Sequence, residues 1–107
     1  MKDLTARERW DIWMVQAQRF ARRENYIDAL GRARMVLGEV DGALADATDD
    51  EKPKLERFRH RVVRRIESFR KDFQAWNAKI AARRAASIAN ADAEMARPLP
   101  LGPDELI

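Results

Sequence analysis

The chain has 107 residues, a mass of 12.4 kDa and a formal net charge of +3, a size that fits one domain. It has no Cys, which excludes disulfides, thiolate metal sites and a Cys nucleophile, and its single His excludes a histidine metal cluster. No apolar run approaches the roughly 18 residues of a membrane span, and we therefore expect a cytoplasmic protein.

The first predicted helix begins after Thr5, because Thr5 and Glu8 have the spacing of a capping box. Low Gly and Pro contents, 4 residues each, and 36% charged residues favour helices throughout the chain. A pair of Trp on one helix face is compatible with a stacking platform for bases or a ligand. We interpret the face instead as core, since its apolar residues recur every three or four positions: Trp10, Trp13, Met14, Ala17, Phe20 and Ala21.

The second predicted helix begins after Asn25, a good N-cap with Asp28 in the first turn to complement the helix dipole. Its apolar residues alternate in steps of four and three, as in a coiled coil. They are Tyr26, Leu30, Ala33, Leu37, Val40, Leu44 and Ala47.

The third predicted helix follows Asp50, a candidate N-cap, and has Pro53 in its first turn. Its apolar residues again recur every three or four positions, and after Ile80 the sequence stays helix-forming but consists mostly of Ala. The apolar positions are Leu55, Phe58, Val62, Ile66, Phe69, Phe73, Trp76 and Ile80.

These elements predict an all-α fold, an antiparallel three-helix bundle with a long third helix. Residues 1–80 would form the bundle, residues 81–96 an Ala-rich helical arm that overhangs it, and residues 97–107 an extended, disordered Pro-rich tail. Residues 38–51 carry only acidic charges and residues 52–72 mainly basic ones. We expect these two segments to lie side by side and form ion pairs.

Two segments resemble a known family. The second helix opens with Asn25-Tyr26-Ile27-Asp28-Ala29-Leu30, and the third contains Val63-Arg64-Arg65-Ile66-Glu67-Ser68-Phe69. They are similar to the NYxxAL and LxRAExL patterns of the MIT (microtubule-interacting and trafficking) domain, with Ile66 where the family has a small Ala. The first hairpin also resembles a single tetratricopeptide unit. The resemblance, over about residues 8–76, implies a three-helix bundle that binds helices or extended segments of other proteins and is not itself an enzyme.

Three glycines lie inside the second predicted helix, and each costs about 1 kcal/mol relative to Ala. At 100° per residue they share one face, opposite the apolar seam, with a Met and an Ala. This glycine stripe comprises Gly31, Met35, Gly38, Gly42 and Ala45. We expect it to face outward, either as a docking strip for a partner helix or a second copy of the chain, or as tolerated drift in an Ala- and Gly-rich sequence.

Basic residues on one side of the third predicted helix form an arginine stripe: Arg57, Arg61, Arg64 and Lys71. Such a row can follow a phosphate backbone. It is equally compatible with a solvated face paired with acidic residues of the second helix, and no aromatic residue interleaves it.

No arrangement of residues indicates catalysis, a cofactor or a metal. His60 lies among arginines and is expected at the surface, and the sequence has no phosphate-binding loop. The acidic run Asp46, Asp49, Asp50 and Glu51 lacks the spacing of a calcium loop. We therefore expect a non-enzymatic helical adaptor that docks a helix or segment of another protein. A nucleic-acid-binding accessory protein that uses the arginine stripe and a structural homo-oligomer are the alternatives.

Overall fold

The computed structural model describes residues 4–96, which form three α-helices and no strand. Helix α1 spans Ala6–Arg22, α2 spans Tyr26–Asp46 and α3 spans Lys52–Ala96. The all-α prediction is confirmed, as is the long third helix of 45 residues. The predicted tail, residues 97–107, lies outside the described residues.

The two predicted N-caps of α1 and α2 are confirmed. The Thr5 hydroxyl accepts a hydrogen bond from the Glu8 backbone N–H at 3.1 Å, and the Asn25 side chain accepts one from the Asp28 N–H at 3.4 Å. Each cap satisfies a backbone donor that a helix start otherwise leaves unpaired. These local contacts fix where the two helices begin.

The end of α1 is formed by an unusual residue. Glu24 adopts a left-handed conformation with φ of 62°, where Gly is the common choice. This conformation lets the Asn25 N–H reach the Phe20 carbonyl at 2.9 Å and the Glu24 N–H reach the Ala21 carbonyl at 3.0 Å. The chain thereby reverses direction within three residues.

The start of α3 differs in detail from the prediction. Glu51, rather than Asp50, makes the side-chain contact at this helix start, because its carboxylate accepts a hydrogen bond from the Thr48 N–H at 3.3 Å. The Thr48 carbonyl accepts from the N–H groups of Glu51 and Lys52. Pro53 lies in the first turn of the helix, as predicted.

The core lies between the three helices, in the part of the chain that ends at Trp76. All seven predicted positions of α2 are buried or half-buried. The prediction omitted Ala29 and Val36, which are both fully buried. A helix that contacts two neighbours buries a broader face than the narrow seam of a coiled coil. The buried residues are Trp10, Ala17, Ala29, Leu30, Ala33, Val36, Val40, Phe58, Val62, Ile66 and Phe69.

Contacts at both ends of the bundle establish its topology. At one end Trp10 of α1 stacks on Phe58 of α3, with ring centres 5.7 Å apart. At the other end Tyr26 of α2 stacks on Phe73 of α3, also at 5.7 Å. Helix α2 is therefore antiparallel to both α1 and α3, and α1 and α3 run parallel.

The described chain divides into two units, one ending at Trp76 and one beginning at Asn77. The predicted boundary, after residue 80, lies four residues later. Helix α3 continues through the second unit to Ala96, and every side chain from Ala81 to Ala96 is exposed.

The predicted pairing of acidic and basic segments is observed at one place between α2 and α3. Arg59 donates to the Asp41 carboxylate at 2.6 Å. The other ion pair of this region, between Lys52 and Asp49 at 3.7 Å, lies in the connection between the two helices. Most of the basic residues of α3 thus remain available on its surface.

Candidate functional site

A groove between α1 and α3 is the most developed concave surface of the first unit. Its volume is about 630 Å³, and residues from two parallel helices form its walls. A space of about 740 Å³ lies beside His60, but all its lining residues belong to α3, so it has no second wall. The α1–α3 groove is lined by Arg7, Asp11, Met14, Val15, Gln18, Arg22, Phe58, Arg61, Val62 and Arg65.

The floor of the α1–α3 groove is apolar. Phe58 and Val62 are part of the core and are 5% and 1% exposed. Val15, on the α1 side, is 52% exposed. Met14 packs against the core beside them. An incoming apolar side chain would therefore find apolar partners along this floor.

The rim of the α1–α3 groove is basic. Four of its lining residues are Arg, against the single carboxylate of Asp11. The guanidinium carbon of Arg7 lies 3.9 Å from the centre of the Phe58 ring, and that of Arg61 lies 5.8 Å from it. Attraction between the cations and the ring helps to hold both side chains over the floor.

One residue that lines the α1–α3 groove, Gln18, has a polar atom without a partner. Its side-chain amide oxygen is closed off from solvent and accepts no hydrogen bond within the described residues. An acceptor in that position is unfavourable. Asp11 is only partly neutralised, since Arg7 approaches it at 3.4 Å and both side chains remain about half-exposed.

A separate network links α1 to α2 and supports the α1 wall. The Glu39 carboxylate accepts hydrogen bonds from Arg9 at 2.5 Å and from the Trp10 indole N–H at 3.2 Å. The bond from Arg9, with that from Trp10 second, lowers the pKa of Glu39 below its usual value. These contacts fix the rotation of α1, and so which of its side chains face α3.

The glycine stripe lies on the surface of α2, as the sequence predicted. All five residues are exposed, and Met35 is 47% exposed. A methyl group built on Gly31, Gly38 or Gly42 would meet no atom within 4 Å. The stripe is therefore flat and open, but its exposure alone does not identify a partner.

The arginine stripe is also exposed at all four positions. Among the ion pairs of residues 4–96, none uses these residues. The structure separates the stripe into two parts, because Arg61 lines the α1–α3 groove while Arg57 and Lys71 lie outside it. Arg64 and Arg61 share a shallow depression of about 300 Å³ with Arg65.

Three of the four Arg in the groove were not predicted as site residues: Arg7, Arg22 and Arg65. A signal was present on α1, where Arg7, Asp11, Gln18 and Arg22 recur at helical spacing on the face beside the core. Assigning that face to a groove requires knowing which side of α1 approaches α3. This rotation depends on tertiary packing and not on helical periodicity.

The residues considered for chemistry remain separate. His60 is exposed on α3. The acidic residues at the α2–α3 connection are exposed, and no group of three potential metal ligands occurs among residues 4–96. No helix in the described range is long and apolar enough to cross a membrane.

Comparison of the chain with protein-family models, curated proteins and solved structures finds no match. The resemblance to the MIT domain therefore stays a prediction from the sequence patterns around Asn25 and Ile66.

Proposed function

We propose that this chain is a non-enzymatic docking module that holds a segment of another protein in the α1–α3 groove. The observation that carries the proposal is the combination of an apolar floor with a rim of four Arg and one Asp. A role of this kind agrees with the adaptor and the cytoplasmic location expected from the sequence. It also agrees with the segment binding that the resemblance to the MIT domain implies.

The rim determines the charge of the partner. Four guanidinium groups around one groove attract carboxylates, and Arg binds carboxylates well through its planar donors. Arg22 and Arg65 are exposed and form no ion pair within the described chain, so a partner does not have to displace an existing contact there. We therefore assign an acidic segment to this site.

The floor determines the rest of the partner's chemistry. The floor favours a segment with at least one large apolar side chain, which would contact Val15, Met14 and Phe58. Burial of apolar surface provides most of the affinity in small grooves. The expected ligand is thus acidic and amphipathic.

The groove is a better-supported site than the glycine stripe. The stripe offers small residues and open space, whereas the groove offers concavity, an apolar floor and charge. A smaller depression of about 260 Å³ between α2 and α3, beside Ile27 and Phe73, has fewer charged residues. Docking at the glycine stripe remains a separate prediction.

Nucleic-acid binding is the second candidate, and the four unpaired residues of the arginine stripe favour it. A phosphate backbone would use Arg57, Arg64 and Lys71 as readily as Arg61. Apolar residues at the floor of the groove would add nothing to such binding. The two candidates therefore depend on different residues, which makes them separable.

The test is selection of short peptides from a random display library on the purified chain. Docking in the groove predicts selected peptides rich in Asp or Glu together with large apolar residues. A double charge reversal in the groove, Arg22→Glu with Arg65→Glu, should weaken binding of the best selected peptide at least about tenfold. The matched control, Arg57→Glu with Lys71→Glu, makes the same charge change outside the groove and should leave binding largely intact.

The outcomes separate the candidates. If the control pair weakens peptide binding as much as the groove pair, general charge attraction rather than the groove explains it. If Val15→Asp has no effect on binding, the apolar floor is not the docking surface. Tight binding of a single-stranded DNA oligonucleotide that is lost in the control pair would support the nucleic-acid candidate instead.

A further inference from the structure

Among residues 77–96, the described part of the second unit, one helical face has no partner. Residues 77–96 of α3 include nine Ala among 20 residues, and Ile88 and Met95 are 62% and 85% exposed. Every side chain from Ala81 to Ala96 is exposed. Isolated helices have little stability in water, and tertiary packing provides most of it in proteins. An apolar face of this length therefore requires explanation.

The face is arranged symmetrically about Ile88. Ala81 and Met95 each lie seven residues from Ile88, while Arg84 and Asp92 each lie four residues from it. At 100° per residue all of them fall within about 40° of Ile88, and so belong to one face. Ala85 and Ala91, three residues away on either side, flank that face.

Charges of opposite sign lie on the two sides of Ile88, and Arg84 and Asp92 are equidistant from it. The first half of the segment carries Lys79, Arg83 and Arg84, and the second half carries Asp92 and Glu94. The carboxylates lie near the C-terminal end of α3, where the helix dipole disfavours negative charge, and the last turn has no basic residue. Cations supplied from outside this helix would stabilise that end.

We propose that residues 77–96 pair with the same residues of a second copy of the chain, in antiparallel orientation, with the two-fold axis at Ile88. A two-fold contact is self-complementary, so a residue at a given distance before Ile88 lies level with the residue at that distance after it in the other copy. Arg84 of each copy then lies level with Asp92 of the other. Met95 covers Ala81 in the same way.

The small residues leave room around the centre of this contact. Ala at positions 81, 85 and 91 surrounds the paired Ile88 side chains, which set the spacing of the helix axes toward the upper end of the range of about 8–10 Å for packed helices. The two helix dipoles oppose each other, and each acidic end lies beside the basic end of the other copy. A partner of another chemistry would have no reason to match both the spacing and the sign of these charges, and this is why we assign a second copy.

The first experiment measures the mass of the full chain by sedimentation equilibrium. A contact between two helices of this length is small, so we expect self-association with a dissociation constant of about 10–100 μM. Ile88→Glu should weaken self-association at least about tenfold, because it places two carboxylates at the two-fold axis. Ala86→Glu lies on the opposite face and should leave it unchanged, while circular dichroism verifies that both variants keep their helical content.

The second experiment exchanges the charges. Arg84→Asp and Asp92→Arg should each prevent self-association, because each gives like charges at both symmetric contacts. A mixture of the two variants should associate, since the carboxylate introduced by Arg84→Asp then lies level with the guanidinium introduced by Asp92→Arg. The second contact of the mixed pair joins the unchanged Asp92 of one variant to the unchanged Arg84 of the other, and is also attractive. Single variants that associate as well as the wild type would show that these residues do not meet.

The third experiment determines the orientation. The natural chain has no Cys, so introduced cysteines report only the intended contact. A mixture of Ala81→Cys and Met95→Cys should form a disulfide-linked dimer, whereas Ala81→Cys alone should not, since its two copies would lie about 21 Å apart. Cross-linking of Ala81→Cys with itself would overturn the antiparallel proposal. A chain that stays monomeric, or one whose association Ile88→Glu does not change, would overturn the interface.

Discussion

Replacing Gly31, Gly38 and Gly42 by Ala should stabilise the protein. Each Gly lies inside α2, where it costs about 1 kcal/mol relative to Ala because it has more backbone freedom to lose on folding. An added methyl group at each position would meet no atom within 4 Å, so no clash offsets the gain. The triple variant should gain up to about 3 kcal/mol, the sum of three single gains, with Gly38 and Gly42 close enough on one helix face to couple.

The measurement is urea unfolding of the single and triple variants. A single replacement should raise the midpoint without changing the m-value, and should raise the melting temperature by about 4–8 °C for a domain of this size. Gly38→Leu is the stricter variant, because a large side chain also has open space at this position. A destabilised Gly38→Ala or Gly38→Leu would refute the reasoning, because it would mean that another surface covers this face in solution.

Three further predictions concern the core, the α1–α2 network and the end of α1. Phe69→Ala should cost about 3–5 kcal/mol in urea unfolding, because the side chain is 2% exposed, and a loss under about 1 kcal/mol would remove Phe69 from the core. The hydrogen bond from Arg9 lowers the pKa of Glu39 in the folded state. Ionised Glu39 therefore stabilises the folded protein at neutral pH, and this stabilisation disappears as the pH falls through the folded pKa. Wild type should thus lose more stability than Glu39→Gln between neutral pH and about pH 3, and equal losses would contradict the assignment. Glu24→Gly should be about 1 kcal/mol more stable than Glu24→Ala. Both variants lose the hydrogen bond from the Trp76 indole N–H at 2.7 Å, but only Gly adopts the left-handed conformation freely. Equal stability of the two variants would rule out strain at this position.

The helix boundaries were predictable because local contacts determine them. Thr5 and Asn25 cap the next helix through atoms within three residues, and a sequence window of that length contains the whole interaction. The start of α3 was less certain for the same reason, since Thr48, Asp50 and Glu51 all have side chains able to contact the nearby backbone. In the structure the Glu51 carboxylate makes the contact, by accepting a hydrogen bond from the Thr48 backbone N–H.

The end of α1 illustrates what a local pattern does not contain. Nothing in the sequence near Glu24 indicates a left-handed residue, because Gly and Asn are the usual signals. The reason becomes visible only with α3 in place, where the Glu24 carboxylate accepts the hydrogen bond from Trp76, 52 residues later. This hydrogen bond between residues far apart in the sequence offsets part of the backbone strain at Glu24. Helical periodicity contains no information about such a contact.

The same limit explains the candidate site. Helical periodicity predicted that the glycine stripe faces outward, because it lies opposite the apolar seam of α2, and it placed the arginine stripe on one side of α3. It did not predict that Arg61 and Arg65 of α3 lie across from Arg7 and Arg22 of α1, since that depends on how far each helix is rotated about its axis. Large core residues such as Trp10 and Phe58 determine the rotation by stacking.

The two proposals use separate residues, and this separation gives them a joint consequence. The groove involves residues up to Arg65, while self-association involves residues 77–96. Ile88→Glu should therefore leave the affinity for a single selected peptide unchanged, and the groove pair of charge reversals should leave self-association unchanged.

If both proposals hold, the dimer carries two grooves. A surface densely coated with the peptide should then retain the wild-type dimer longer than the Ile88→Glu variant, because two grooves can bind the surface at once. If both proteins are retained equally while the wild type still dimerises, the two grooves do not bind the surface together. If Ile88→Glu loses peptide binding, the groove and the self-association surface are not independent.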